Sequence, residues 1–205
     1  KAIDAPPVIS SVTVDSQSAG VTGFIPIAGG GTSSIVIAGN LFDTTNGAIT
    51  IAPQGTGSNV TPTSITRTSA SSFTIVVTRS DFTSAGSPYD LTITNGSNLS
   101  ATLAGAFTSN VAPAFATAAD TNIGNIAVGG SDYSGLTTVA ATDADGDTIT
   151  HTISAGSLPS GTSLQTNGTF TGTVGSGQEG TYTFTVQAVD SKSQTTTRQF
   201  LMSVV

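Results

Sequence analysis

Strict alternation of apolar and polar residues after Gly180 is the feature that most constrains this chain. The apolar set is Tyr182, Phe184, Val186 and Ala188, and the polar set between them is Thr183, Thr185 and Gln187. A period of two places one set against a core and the other in water, which predicts a β-strand. Upstream, Asn167-Gly168 indicates a tight hairpin just before Phe170. Strands joined in this way are not stable alone, so other strands must cover their apolar face.

The same pattern recurs along the chain, with turn signals roughly every 8 to 12 residues and no helical periodicity, which is typical of β-sandwiches. The predicted strands are residues 8–14, 24–27, 34–42, 48–52, 64–68, 72–79, 89–95, 99–107, 123–128, 136–142, 148–154 and 195–205. The pattern breaks at residues 108–113 and restarts at Phe115. With 205 residues, the chain has room for two domains of about 100 residues each. The sequence therefore predicts an all-β chain of two tandem Ig-like β-sandwiches, residues 1–109 and 110–205.

Two stretches are predicted to be connections. Residues 1–6 have the composition of a linker that runs into Pro6-Pro7. Gly29-Gly30-Gly31 has neither the following Lys nor the following helix of a phosphate-binding loop, so it is interpreted as a flexible connection.

Charge excludes one class of partner. The net charge is −7, and the five Lys and Arg residues are scattered along the chain. Nucleic-acid binding requires clustered cations that release phosphate counterions, so no nucleic-acid partner is expected. No apolar run approaches the roughly 20 residues that span a bilayer, so no membrane insertion is expected. Cysteine is absent, which fits a cytosol-assembled particle or a bacterial surface protein.

Asp143, Asp145 and Asp147 form the one carboxylate cluster, which Asp190 could join from a neighbouring strand. Asp residues alternating around a Gly are how calcium loops gather oxygen ligands. The EF-hand pattern is incomplete because Ser154 stands at its twelfth position. A solvated turn, with Asp side chains bonded to their own backbone, is therefore the favoured interpretation. Calcium is the alternative, and no other cofactor is expected.

Catalytic groups are scarce. The single histidine, His151, shares a strand face with Ile149 and Ile153, which predicts a packing role. No second His and no G-x-S-x-G motif accompanies it. A glycosidase would need Asp143 and Asp190 to flank a sugar, but the region has no aromatic platform. We therefore expect no catalytic residue and no enzyme activity.

Three motifs of the first half occur in order: PPVISSVTV at 6–14, SIVIAGNLF at 34–42 and SPYDLTITNG at 87–96. They resemble the IPT/TIG domain, an Ig-like sandwich that opens with Pro and Ile or Val. That family also has an I-x-G-x-x-F strand end and closes on a strand before Asn-Gly. The chain departs from the family at residues 20–31, which form a longer and looser segment.

Three motifs of the second half are TDADGDTITHTI at 142–153, LPSG at 158–161 and GTYTFTVQAVDS at 180–191. They are similar to consecutive landmarks of the putative-Ig and dystroglycan-type cadherin-like domains of bacterial and phage proteins. His151 stands where that family usually has Tyr. The linker SNVAPAF resembles a cadherin junction without its calcium-binding Asp residues.

Tandem domains with this Thr/Ser/Gly-rich, Lys-poor composition resemble structural proteins of tailed phages of marine bacteria. The resemblance implies a structural or adhesive module on the virion exterior, as a fibre, decoration or other component. Its partners would be other virion proteins, copies of itself, or a host-surface glycan. The alternatives are an extracellular or cell-surface bacterial adhesin fragment and an ancillary carbohydrate-binding module. In the last case Tyr89 or Tyr133 would contact the sugar, although the Thr/Ser surfaces more simply solvate the sheets.

Overall fold

β-Strands account for nearly all of the regular structure. The computed structural model describes residues 5–27 and 30–205. Residues 1–4 of the predicted linker and Gly29 of the predicted glycine connection lie outside the described residues. Within that part of the chain, the one helical segment is a 3-10 turn, Arg79–Asp81, and no helix is long and apolar enough to cross a membrane. The predicted all-β class is confirmed.

The first compact unit, Lys1–Asn110, contains two four-stranded sheets. Its strands are β1 (Val8–Val14), β2 (Gly23–Pro26), β3 (Thr32–Asn40), β4 (Ala48–Pro53), β5 (Ser64–Ser69), β6 (Ser72–Thr78), β7 (Tyr89–Thr94) and β8 (Ser100–Asn110). The strand orders are β1-β3-β6-β5 and β2-β8-β7-β4, and only the β2–β8 pair is parallel among these neighbours. Alternate residues of both sheets point into one core, as the period of two requires. The unit is therefore a β-sandwich.

Gly39 shows why the I-x-G-x-x-F strand end needs a glycine. A Cβ at this position would overlap the Val8 carbonyl oxygen and the Phe42 ring. The Phe42 ring is buried and lies 4.8 Å, between centroids, from the ring of Phe73. The glycine thus lets the first strand and a core aromatic ring approach the end of β3.

The second compact unit, Val111–Val205, has one large sheet and two small ones. Its strands are β9 (Ala114–Phe115), β10 (Thr121–Ile126), β11 (Ala141–Thr142), β12 (Ile149–Gly156), β13 (Thr162–Leu164), β14 (Phe170–Gly172), β15 (Gly180–Asp190) and β16 (Thr195–Val204). The large sheet has the order β10-β16-β15-β12, and β9–β11 and β13–β14 form the small pairs. Side chains of the small pairs share one core with Phe184 and Phe200 of the large sheet. They therefore supply its second layer.

The predicted strand at 136–142 is wrong over most of its length. Only Ala141–Thr142 pairs, with the short strand β9. Before it, the Thr137 amide donates to the Ile123 carbonyl, and the Ala140 amide donates to Thr138 Oγ1. These bonds occupy backbone groups that a regular ladder would need, so the segment wraps over the core as an irregular connection.

Candidate functional site

The acidic loop at 143–147 is organised by its own carboxylates. Asp143 Oδ1 accepts hydrogen bonds from the backbone amides of Asp145 at 2.8 Å and Asp147 at 3.2 Å. Gly146 provides the left-handed conformation, with φ of 79°. Asp145 Oδ2 accepts a hydrogen bond from the Val111 amide at 2.7 Å. The loop is therefore an Asx-type turn that also fixes the first residue of its unit.

Asp147 connects this loop to the turn between β15 and β16. Its Oδ1 accepts hydrogen bonds from Ser191 Oγ at 2.8 Å and from Lys192 Nζ at 3.0 Å. The Ser191 hydroxyl and then the Lys192 ammonium hold the pKa of the Asp147 carboxyl below its ordinary value. The carboxylate is thus ionised at neutral pH, and a cation from its own chain already lies beside it.

Asp190 accepts hydrogen bonds from the backbone amides of the turn that follows β15. The side chain is buried, and its Oδ1 accepts hydrogen bonds from the amides of Lys192 at 2.9 Å and Gln194 at 2.7 Å. The Asp190 amide in turn donates to the Gln194 carbonyl. The residue closes the β15–β16 turn, where Ser193 adopts a positive φ of 66°.

Calcium binding by Asp143, Asp145, Asp147 and Asp190 stays a prediction. No group of three or more His, Cys, Asp or Glu side chains within the described residues is arranged to hold a metal ion. Asp143 Oδ2 is the one loop oxygen that is buried without a hydrogen-bond partner there, whereas calcium takes six to eight oxygen ligands. An increase in unfolding temperature on adding calcium, reversed by a chelator, would support the site.

His151 links three segments of the second unit. It is only 4% exposed, and its Nε2 accepts a hydrogen bond from the Ala141 amide at 2.9 Å. Its Nδ1 lies 2.9 Å from the Thr166 carbonyl oxygen. Because a carbonyl can only accept, Nδ1 is the ring nitrogen that donates to Thr166. Neither nitrogen is available as a base or a metal ligand.

The two tyrosines considered for sugar binding have different surroundings. Tyr89 is 1% exposed, and its hydroxyl accepts a hydrogen bond from the Thr83 amide at 2.7 Å. Its ring packs edge-on against Phe82, with centroids 4.8 Å apart. A glycan contact at Tyr89 is therefore wrong, because the ring belongs to the core of the first unit.

Tyr133 lines an open groove of about 320 Å³ on the second unit. Its ring lies 5.9 Å, between centroids, from that of Phe170, at an interplanar angle of 35°. Partial burial raises the pKa of the Tyr133 phenol. The remaining lining is rich in hydroxyl groups, from Ser131, Ser134, Thr137, Thr138 and Thr169. An aromatic surface bordered by neutral hydroxyls is suited to a small uncharged ligand.

A family model described as "Putative Ig domain" matches residues 83–205, more than half of the chain. The chain belongs to the Putative Ig domain family. The match to this family covers β7, β8 and the whole second unit, so most of the first unit lies outside it. No curated protein sequence matches the chain.

Several solved structures are similar to this chain. The cadherin domains 1–5 of protocadherin gamma B2 are 18% identical, with a TM-score of 0.40, over 97% of this chain and 40% of that one. The insect immune protein hemolin is 16% identical, with a TM-score of 0.38, over 100% of this chain and 48% of that one. Human desmocollin-1 is 12% identical, with a TM-score of 0.38, over 82% and 36%. The chain thus spans less than half the length of each.

Proposed function

We propose that this chain is a non-enzymatic structural or adhesive module on the exterior of a tailed-phage particle. The observation that carries the non-enzymatic part is the use made of the polar groups most suited to chemistry. Both ring nitrogens of His151 contact backbone groups. The Oδ1 atoms of Asp143 and Asp190 accept backbone amides. Such groups stabilise loops, and they are not oriented towards a substrate.

Its work would be mechanical, because packed sandwiches space and present surfaces to neighbouring molecules. Membership of the Putative Ig domain family supports a module of this kind. The exterior setting is supported by the Thr/Ser/Gly-rich, Lys-poor composition. The IPT/TIG resemblance of the first unit belongs to the same proposal, supported by the structural role of Gly39 in its I-x-G-x-x-F motif.

Localisation tests this proposal directly. An antibody raised against the whole chain should label the outer surface of purified phage particles in electron micrographs. Digestion of the same particles should release peptides of the chain for mass spectrometry. If the antibody instead labels the surface of uninfected cells and leaves particles unlabelled, the adhesin alternative replaces the virion proposal.

A second candidate function is carbohydrate binding by the groove at Tyr133 and Phe170. The groove volume, about 320 Å³, lies at the lower end of the range for small-molecule sites. A Tyr133→Ala variant should lose saturable binding to a neutral polysaccharide in isothermal titration calorimetry. Tyr182→Ala is the matched control, since Tyr182 is also half-buried in this unit but lies outside the groove. Equal binding by both variants would remove this candidate.

A further inference from the structure

The three four-stranded sheets have six edge strands, namely β1, β5, β2, β4, β10 and β12. An edge strand turns alternate backbone N–H and C=O groups away from its sheet, where they can pair with another chain. Five of these edges carry an additional hydrogen bond from a neighbouring loop or side chain. The contacts join Gly20 to Val12 on β1, Gln17 to Phe24 on β2, Val60 to Ile51 on β4, Thr137 to Ile123 on β10, and Thr166 to His151 on β12.

The exception is β5, Ser64–Ser69. Within the described part of the chain, its one strand partner is β6, and no loop or side chain bonds its outer backbone groups. The stretch from Ser64 to Thr66 is exposed throughout. Unlike the five edges with these contacts, β5 therefore presents a run of backbone donors and acceptors with which an added extended strand can pair.

The features that usually prevent an edge strand from pairing with another chain are weak on β5. A charged side chain that projects over an edge strand discourages pairing. The one charged side chain of β5, Arg67, folds back instead: its Nη2 donates to the Gly47 carbonyl at 2.9 Å, and its guanidinium lies 5.4 Å from the centre of the Phe73 ring. An irregularity in register between Arg67 and Ser69 limits the regular edge to residues 64–67.

Ile65 adds an apolar reason for pairing. It is in register with Ile75 of β6, which is fully buried, so both side chains lie on the core face of the sheet. Ile65 is nevertheless 37% exposed, because no further strand covers it. An added strand would extend the core over this side chain as well as complete the backbone hydrogen bonds.

We infer that β5 pairs antiparallel with β5 of a second copy of this chain, joining two sheets edge to edge around a two-fold axis at Thr66. In this register Ile65 faces the aliphatic stem of the partner's Arg67, and the two guanidinium groups are not opposite each other. The chain carries a net charge of −7, yet the sequence of β5, SITRTS, contains no acidic residue. Two copies can therefore meet at this edge without bringing carboxylates together.

This inference rests on the proposed structural role and specifies the contact by which copies associate. An interface of one short strand is small, so it is of the weak class, reinforced where many copies are held together. Association in solution should accordingly appear at high micromolar concentration and above. Each copy has one β5 edge and uses it in the pair, so the pairing closes after two copies.

Sedimentation velocity of the whole chain, over a concentration series from about 10 µM to about 1 mM, tests the pairing. The wild-type chain should shift from monomer to dimer and form nothing larger. Ile65→Lys, which adds a charge on the core face of the edge, should raise the dissociation constant at least about tenfold. Val36→Lys is the matched control, because Val36 is a 39% exposed aliphatic residue of the same sheet, on the central strand β3, and should dimerise like wild type.

Hydrogen exchange supplies the second measurement. Amides of residues 64–67 should become slower to exchange as the wild-type concentration rises, and should not do so in Ile65→Lys. A chain that stays monomeric throughout the series would overturn the inference, as would equal weakening by Val36→Lys. The particle-labelling experiment does not depend on β5, so the proposed function and this contact can fail separately.

Discussion

The first unit encloses its core between two four-stranded sheets, whereas the second sets one such sheet against two short strand pairs and irregular connections. In the first unit, both sheets that enclose the core are held by regular ladders of hydrogen bonds between strands, such as β3–β6 and β7–β8. In the second, part of the core wall, such as Val139 and Val174, lies outside the strands. The comparison shows that the same alternating strands can be closed either by more strands or by connections fixed through polar side chains.

The hydrogen bonds of polar side chains also differ between the two units. In the first unit, buried Asn95 accepts a hydrogen bond from the Asp43 amide and donates one to the Leu41 carbonyl. In the second unit, His151, Asp190 and the acidic loop together fix several connections. Polar residues that resemble a reactive cluster in sequence therefore replace missing strands as the support of this layer.

The largest expected effect tests whether the second unit, whose core is partly covered by irregular connections, relaxes into a cavity more readily than the first unit. Phe73 and Phe200 are both buried, on strands with a neighbour on each side. Phe73→Ala should lower the free energy of unfolding of the first unit by about 4 to 5 kcal/mol. Phe200→Ala should cost the second unit about 3 kcal/mol, because its irregular wall can relax into the cavity.

Hydrogen exchange of the two variants, compared for amides of β3 and β6 and of β15 and β16, measures the two costs separately. Ser163→Ala, on an exposed position of β13, is a control that should change neither by more than about 0.5 kcal/mol. Equal costs, or a larger cost at Phe200, would mean that the second unit is as rigidly closed as the first.

An intermediate effect is expected at His151. In His151→Phe the ring volume is kept, but the buried Ala141 amide loses its acceptor. An unpaired buried amide costs about 1 to 3 kcal/mol. The variant should be destabilised by about 2 kcal/mol in urea denaturation followed by circular dichroism. Thr152→Val, at the exposed neighbouring position, should stay within about 0.5 kcal/mol of wild type.

The strands were predictable because their cores repeat every second residue. Alternation located β6, β7, β15 and β16 to within a few residues of their observed bounds. The region 136–142 was not predictable, because its apolar residues Leu136 and Val139 contact the core from an irregular backbone, whose conformation depends on distant partners such as Ile123.

Side-chain roles depended still more on contacts between distant residues. The sequence indicated a packing role for His151, but its bonds to Ala141 and Thr166 connect segments that no periodicity brings together. Likewise, β5 becomes an edge only through the order β1-β3-β6-β5. Strand order is set by long-range pairing, so β5 could not be identified as an edge strand from the sequence.

The smallest effect concerns the ion pair that joins the acidic loop to the β15–β16 turn. The pKa of Asp147 is lowered by Ser191 and by Lys192. A lowered folded pKa means that this carboxylate contributes its full stability above the unfolded value of about 3.9, and the contribution is lost as pH falls through the folded pKa. Lys192→Met should therefore raise the pKa of Asp147 towards its ordinary value. The pH interval between the unfolded and folded pKa values, over which the stability contribution of Asp147 is lost, should then become narrower.

NMR titration of the Asp147 carboxyl in wild type, Lys192→Met and Lys192→Arg measures the shift. Lys192→Arg keeps the cation and should preserve most of the lowering. The cost of Lys192→Met at neutral pH should stay below about 1 kcal/mol, because the Lys192 side chain is 26% exposed and water screens the pair. An unchanged pKa in Lys192→Met would assign the lowering to Ser191 alone. The connection-built layer would then be fixed at this point by a side-chain hydroxyl donor, without a contribution from the Lys192 cation.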